Sequence, residues 1–378
     1  MNYSIVILNW RDPWNPRAGG AENVTLKHAV AWQKKGHTVT WITSMYEGAL
    51  AQEKKQGILY KRGGSEHFFW LNARHFFKLH SQNKKTDIII DQIHGLPSFS
   101  PLWSGTVPVI AFIHELAMEI WFHMYPLPVA ILGWLSEKMW LRLVYHSTQF
   151  WVDSNSTATD LVNNGVRPSS CTVIPCAIDH HTQISAHKSE HLSMIFLARL
   201  VPMKGAMHAL ETLRHIVRQI PSAQLWIVGG GSTAYTKLLE QTISQHRLKK
   251  SVHWFGKVSE AKKFNLLKKA HFLIHTSVKE GFGLTVLEAF SQKTPVACYD
   301  VPSLNELVED SKTGVVAPFG STEILANKII TLYKNASAYA RMQQLASNFE
   351  AQFTWKKATN SSMAMLHTLI KNKYISFS

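Results

Sequence analysis

HFLIHTSVKEGFGLTVLEAFSQKTPVACYD, residues 271–300, decides the fold. A short apolar run at 271–275 leads into a polar turn holding Gly281 and Gly283. A longer amphipathic segment opens at Leu284, and a second apolar run follows at 296–299. Short buried strands alternating with amphipathic helices are the pattern of a parallel sheet wound with helices. Worked outward, the same unit recurs along the chain, so the class is α/β. In the second half, strands are expected at Met194–Leu200, Gln224–Val228, Val252–Phe255, His271–His275, Val296–Tyr299 and Val315–Ala317, with helices opening near Lys204, Thr233, Glu260, Gly283, Ser303 and Thr322. In the first half they are expected at Ser4–Trp10, Thr38–Thr43, Asp87–Ile93, Val107–His114, Phe150–Ser154 and Thr172–Ile178, with helices between them.

The pattern pauses at 179–191, DHHTQISAHKSEH, which has no apolar periodicity and reads as a linker. Two doubly wound domains are therefore expected, at 1–183 and 192–352. A last amphipathic stretch, 353–378, carries Met363, Leu366, Leu369 and Ile370 on one face and is expected to cross back to the first domain.

With 378 residues, 46% of them hydrophobic and 17% charged, the chain can bury two sizeable cores, which excludes a disordered protein. Cys171, Cys176 and Cys298 are odd in number and lack CxxC spacing, so neither a disulfide scaffold nor a cysteine zinc site is indicated. The opening MNYSIVILNWRD has no signal-peptide pattern, and a cytoplasmic location is expected. The uncharged stretch 120–136 is shorter than the roughly 20 apolar residues of a spanning helix, and Pro126 and Pro128 interrupt it. Net charge is +15, concentrated beyond residue 185, which favours phosphorylated or other anionic ligands. Lysine pairs such as Lys262 and Lys263 read as solvated helix faces, and no nucleic-acid motif accompanies them.

Four segments carry chemistry. RAGGAEN, 17–23, follows the first strand; Gly19 and Gly20 would permit φ > 0 and the close approach of a phosphate to a helix start, or simply make a tight turn. In FLARLVPMKG, Arg199 and Lys204 stand at a strand's C-terminal edge, where open α/β sheets bind ligands, and two cations suit a diphosphate. GGGSTA, opening at Gly229, is a nucleotide-diphosphate contact or a structural turn. In EGFGLTVLE, Glu280 and Glu288 are separated by seven intervening residues across a strand–loop–helix junction. Two carboxylates so placed reach opposite ends of one polyhydroxyl ligand, while the backbone of Gly283, Leu284 and Thr285 offers N–H groups to an anion between them. A nucleotide sugar has that layout.

From GGAE through ARLVPMKG and VGGG to EGFGLTVLE and TGVVAP, the sequence resembles the retaining GT-B glycosyltransferases, specifically glycosyltransferase family 4. The resemblance implies two Rossmann-like domains facing a cleft, an acceptor-binding N-terminal domain and a donor-binding C-terminal domain. It implies a hexosyltransferase (EC 2.4) of glycan biosynthesis that needs no cofactor and no metal; no DxD pair is present. Carried over by residue, Arg199 and Lys204 would hold the diphosphate, Glu280 the transferred sugar and Glu288 the ribose. The backbone at Gly283, Leu284 and Thr285 would meet the sugar and distal phosphate, Gly19 and Gly20 the diphosphate, Val258 in FGKV the base and Gly229 the nucleotide. His114 would face the donor sugar. IPCAIDHH departs from the family, with Cys176 and Ala177 where an Asn-Gly turn is common.

The acceptor is a glycan, a lipid-linked group or a small hydroxyl compound. The Trp-, Met- and Leu-rich stretch 114–146 is either core or a peripheral membrane surface. The alternatives are a sugar-nucleotide epimerase or phosphorylase, an NAD-dependent oxidoreductase resting on GGGSTA alone, and a nucleic-acid binder resting on charge alone; no nucleic-acid partner is expected.

Overall fold

A computed structural model describes residues 2–82, 85–95, 97–179 and 187–375. It divides into two compact units, Met1–Met118 with Leu132–Ala177 and Thr354–Ser378, and Glu119–Ile131 with Ile178–Phe353. Residues 180–186 of the expected linker, and the boundary expected at 183, lie outside the described residues.

The first half begins β1 (Ser4–Leu8), α1 (Gly20–Lys34), β2 (Thr38–Thr43), β3 (Gln52–Lys55), β4 (Ile58–Arg62), α2 (Phe69–Ser81), β5 (Ile88–Ile93) and β6 (Val109–Ile113). It continues with α3 (Ile120–Met124), α4 (Leu127–Leu143), β7 (Gln149–Val152), α5 (Asn155–Asn163) and β8 (Cys171–Val173). The sheet runs β3-β4-β2-β1-β5-β6-β7-β8, parallel except for the β3–β4 hairpin. Both strands of that hairpin are absent from the expected ones: QEKK is a polar edge strand without apolar alternation, and ILYKR is a short run in which Lys61 and Arg62 follow only three apolar residues. Its turn residues Gln56 and Gly57 both take positive φ, 50° and 79°, the geometry a two-residue hairpin needs.

The second half comprises β9 (Ser193–Leu197), α6 (Ala206–Val217), β10 (Gln224–Val228), α7 (Thr233–Gln245), β11 (Val252–Gly256), α8 (Glu260–Lys269) and β12 (Phe272–His275). There follow α9 (Leu284–Ser291), β13 (Val296–Tyr299), α10 (Leu304–Leu307), β14 (Gly314–Ala317), α11 (Thr322–Lys334), α12 (Ala336–Glu350) and α13 (Trp355–Ile375). This sheet is wholly parallel in the order β11-β10-β9-β12-β13-β14. The α/β class and the two Rossmann-like sheets are as expected.

Helix α13 belongs to the first unit and packs on α1. Leu366 and Ile370 are buried, but a hydroxyl fixes the register: Ser362 Oγ lies 2.9 Å from His28 Nδ1 and accepts from Trp32 Nε1 at 3.1 Å. Around this anchor Trp32, Trp151, Phe112 and Trp355 fill the space beneath the sheet, with the Phe112 and Trp151 rings stacked 3.9 Å apart. Burial there drives the His28 pKa down to about 3, so this histidine is a neutral core group.

Candidate active site

In each unit the strand order reverses beside the first strand, between β9 and β12 in the second unit and between β1 and β5 in the first. Ligands of open α/β sheets bind outside the strand C-termini at such points. The expected site residues collect there.

In the second unit β9 ends at Leu197, earlier than expected, and Lys204 sits in a short 3₁₀ turn ahead of α6 rather than on it. Gly205 closes that turn with φ 75°, and a Cβ there would meet the Thr276 carbonyl oxygen at 1.9 Å. The close approach of these backbones therefore requires glycine, and it brings the β9 and β12 connections together. Lys204 Nζ donates to Glu280 Oε1 at 2.6 Å, Ser277 Oγ donates to the same oxygen at 3.0 Å, and His275 Nε2 lies 3.4 Å from it. Burial would raise the Glu280 pKa, but Lys204, His275 and Ser277 outweigh it and hold the carboxyl below its usual range. Arg199 is exposed and, among the described residues, makes no ion pair.

Gly283 has φ 97° and stands as the N-cap of α9, so no side chain caps the helix start that Leu284 and Thr285 open. One turn on, Glu288 Oε1 accepts from Lys263 Nζ at 2.7 Å, and Lys263 also lies 2.8 Å from Glu260. Here burial wins over Lys263 and raises the Glu288 pKa. Gly229 and Gly231 have a packing reason: a Cβ on either would strike the carbonyl oxygen of Ala198 at 1.9 Å or Leu200 at 2.3 Å. The glycine loop thus clamps the segment bearing Arg199. Val258 is half-buried, just past β11.

In the first unit a polar row crosses four neighbouring strand ends. Asn9 Nδ2 donates to Gln92 Oε1 at 2.6 Å, Gln92 Nε2 donates to the Ala21 carbonyl at 3.1 Å and stands 2.9 Å from His114 Nε2, and His114 Nδ1 pairs with Asp153 Oδ2. Burial would lower the His114 pKa; Asp153, assisted by Glu22 and Glu115, raises it instead. The Gln92 amide works the other way. Its orientation is set by the Asn9 amide and the Ala21 carbonyl, so it aims N–H at Nε2 and favours the neutral ring with its proton on Nδ1. The His114 carbonyl also accepts from Thr157 Oγ1 at 3.1 Å.

Gly19 corrects one expectation. Its φ is −136°, extended backbone open to any residue, and a Cβ there would meet only Glu22 Oε2 at 3.8 Å; neither Gly19 nor Gly20 takes positive φ. The fold does not require glycine at 19. Lys263 corrects another, since it pairs with Glu288 instead of lying on a solvated face. Its (i, i+3) spacing from Glu260 masked a contact 25 residues away. Gln92 and Asp153 are absent from the expected site residues; for Gln92 the signal is a polar residue inside the fully buried run IIIDQI, and Asp153 has no such signal. Among the described residues no group of three His, Cys, Asp or Glu side chains is placed to hold a metal ion.

Two family models match the chain, "Glycosyltransferase Family 4" over residues 18–182 and "Glycosyl transferases group 1" over residues 178–349. The chain belongs to the GT-B glycosyltransferases. This glycosyltransferase is 30% identical over 167 residues to the poly(glycerol-phosphate) alpha-glucosyltransferase of Bacillus subtilis (strain 168), covering 44% of the chain and 24% of the relative. It is 22% identical over 210 residues to the phosphatidyl-myo-inositol mannosyltransferase of Mycobacterium leprae (strain TN), covering 55% and 53%. The matches thus span about a quarter and about half of those relatives. In fold it is similar to Anabaena HepE, crystallised with UDP and glucose: TM-score 0.75 at 18% identity, over 97% of this chain and 100% of that one.

Proposed function

We propose that the protein is a retaining hexosyltransferase that moves a sugar from a nucleoside diphosphate donor to a glycan, lipid-linked or small hydroxyl acceptor without a metal ion or other cofactor. The observation that carries this reading is the pair of lysine–glutamate contacts, Lys204 with Glu280 and Lys263 with Glu288, on either side of the uncapped start of α9. Lys204 and Arg199 take the diphosphate, assisted by the N–H groups at Leu284 and Thr285. Glu280 takes hydroxyls of the sugar and Glu288 those of the ribose. As the anomeric C–O bond breaks, its electron pair passes to the departing phosphate oxygen, where fixed positive charge stabilises it. The acceptor hydroxyl bonds to the anomeric carbon on the face the phosphate leaves and gives its proton to the departing phosphate oxygen. His114 and the Gly19–Gly20 turn are assigned to the donor sugar and diphosphate. Three unpaired cysteines support a cytoplasmic location, and peripheral contact with the membrane belongs to the same proposal.

Thermal unfolding tests the donor class. UDP or GDP at 100 times its Kd should stabilise the protein by about 2.7 kcal/mol, and NAD and an oligonucleotide should do nothing. Protection by NAD alone would reverse the reading. A screen of nucleotide sugars for donor hydrolysis then identifies base and sugar.

A further inference from the structure

We propose that the α2–α4 layer of the first unit docks flat onto an anionic lipid bilayer. This makes the peripheral contact proposed above specific; it rests on that contact and not on the donor chemistry. Both helices cover one sheet face. Phe69, Ala73 and Phe77 of α2 pack with Ile89, and Trp140 and Leu141 of α4 share a core with Ile93, four residues further along β5 and so on the same side. Phe99 bridges them, meeting the Trp70 ring at 6.1 Å and packing into the α4 core.

With those faces filled, the outward ones should be polar, and they are not. On α4, Leu132, Leu135, Met139 and Leu143 follow one another at spacings of 3, 4 and 4, a single helical stripe, and are 50–68% exposed. On α2, Trp70, Leu71 and Leu79 are 37–53% exposed. The charges between them are of one sign. Arg74, Lys78 and Arg142 are exposed, and Lys138 Nζ lies 3.6 Å above the Trp134 ring. Helix α2 contains no carboxylate, and the one in α4, Glu137, is buried, accepting from the Ala117 and Met118 N–H groups at 2.9 and 2.7 Å. Large apolar side chains with interspersed cations and no exposed carboxylate suit the boundary between acyl chains and anionic headgroups. Among the described residues no helix is long and apolar enough to cross a membrane, so the contact is in-plane.

The test is co-sedimentation of the full chain with vesicles of phosphatidylglycerol and phosphatidylcholine, or phosphatidylcholine alone, at low salt and at 0.5 M NaCl. The wild type should bind the anionic vesicles and be released by salt. Leu135→Glu/Met139→Glu and Arg74→Glu/Lys78→Glu should each weaken partitioning at least tenfold, with protection by nucleoside diphosphate unchanged. The proposal is overturned by absence of wild-type binding, by equal binding to both vesicle types, or by variants that bind like the wild type. It is also overturned if sedimentation velocity shows a wild-type dimer that Leu135→Glu/Met139→Glu dissociates, for a second copy would then cover the face. Absence of protection by any nucleoside diphosphate would refute the donor reading alone.

Discussion

Lys263 and Glu288 give the sharpest test of the donor assignment. Their side chains are 14% and 15% exposed, so the pair is too buried for the small value of a surface ion pair and too open for the full cost of an isolated buried charge. A charged hydrogen bond to ribose from such a position is worth about 1.5–3 kcal/mol. Glu288→Gln should accordingly weaken binding of bare nucleoside diphosphate about 10- to 150-fold, at about 1.4 kcal/mol per tenfold. The pH dependence has a defined sign. Burial raises the Glu288 pKa, so its ionised form, which accepts on both oxygens, forms as pH rises through that value, and affinity should rise with it. Lys263→Met removes the cation opposing burial and should push this transition to higher pH, costing more affinity at pH 6 than at pH 8. A raised carboxyl pKa favours the fold below the unfolded-state value and loses that contribution as pH rises, so Glu288→Gln should not lower the thermal midpoint at pH 8. Isothermal titration calorimetry of the wild type, both single variants and the double variant at the two pH values measures all of this. Wild-type affinity in Glu288→Gln, or Lys263→Met matching the wild type at both pH values, would remove Glu288 from the ribose.

Three further outcomes are expected. Glu280→Gln should bind bare nucleoside diphosphate almost normally yet lose turnover by about a hundredfold, the scale of a misplaced reacting group; equal loss of nucleotide binding in the two glutamate variants would refute the assignment of ends. His114→Ala and Gln92→Leu should both lower turnover more than nucleotide affinity, and ¹⁵N spectra should show the Nδ1–H tautomer of His114 in the wild type but not in Gln92→Leu; wild-type turnover in His114→Ala would make that histidine structural. Transfer should survive EDTA, and complete loss restored by Mg²⁺ or Mn²⁺ would end the proposal of metal independence.

What was legible in the sequence follows the range of the forces involved. All six strands of the second sheet, and six of the eight in the first, lie within a few residues of where local apolar runs put them; β4 (Ile58–Arg62) is missed along with its hairpin partner. The polar edge strand Gln52–Lys55 escapes that reading because its burial comes only from pairing with its neighbour. At the site, Glu280 and Glu288 are visible as a spaced pair, but their partners are not. Lys204 meets Glu280 across 76 residues and Gln92 meets His114 across 22, and both contacts exist only because the sheet order sets those strand ends side by side. The Gly229–Gly231 turn shows the converse. Its glycines suggest a phosphate loop, whereas the carbonyls of Ala198 and Leu200 already account for two of them.

Both lysines of the proposed donor site are paired with glutamates before any donor arrives, and this bounds what they can contribute to binding. Lys204 and Glu280 already satisfy one another at 2.6 Å, with each side chain 14% exposed, so a diphosphate meets Arg199 as a bare cation but not Lys204. It competes with Glu280 for Lys204. The exchange yields little net binding energy, because one charge-assisted hydrogen bond replaces another. Its second effect is larger: Glu280, relieved of the lysine, becomes available to the sugar hydroxyls while Ser277 and His275 still hold its carboxylate in place. Under the proposed function, occupation by the phosphates thereby prepares Glu280 to position the sugar. Bare nucleoside diphosphate should displace Lys204 as well as the intact donor does, while only the donor fills the place Glu280 then opens. Glu280 belongs on that account to turnover and Glu288 to affinity, although both are glutamates paired with lysines at nearly equal exposure.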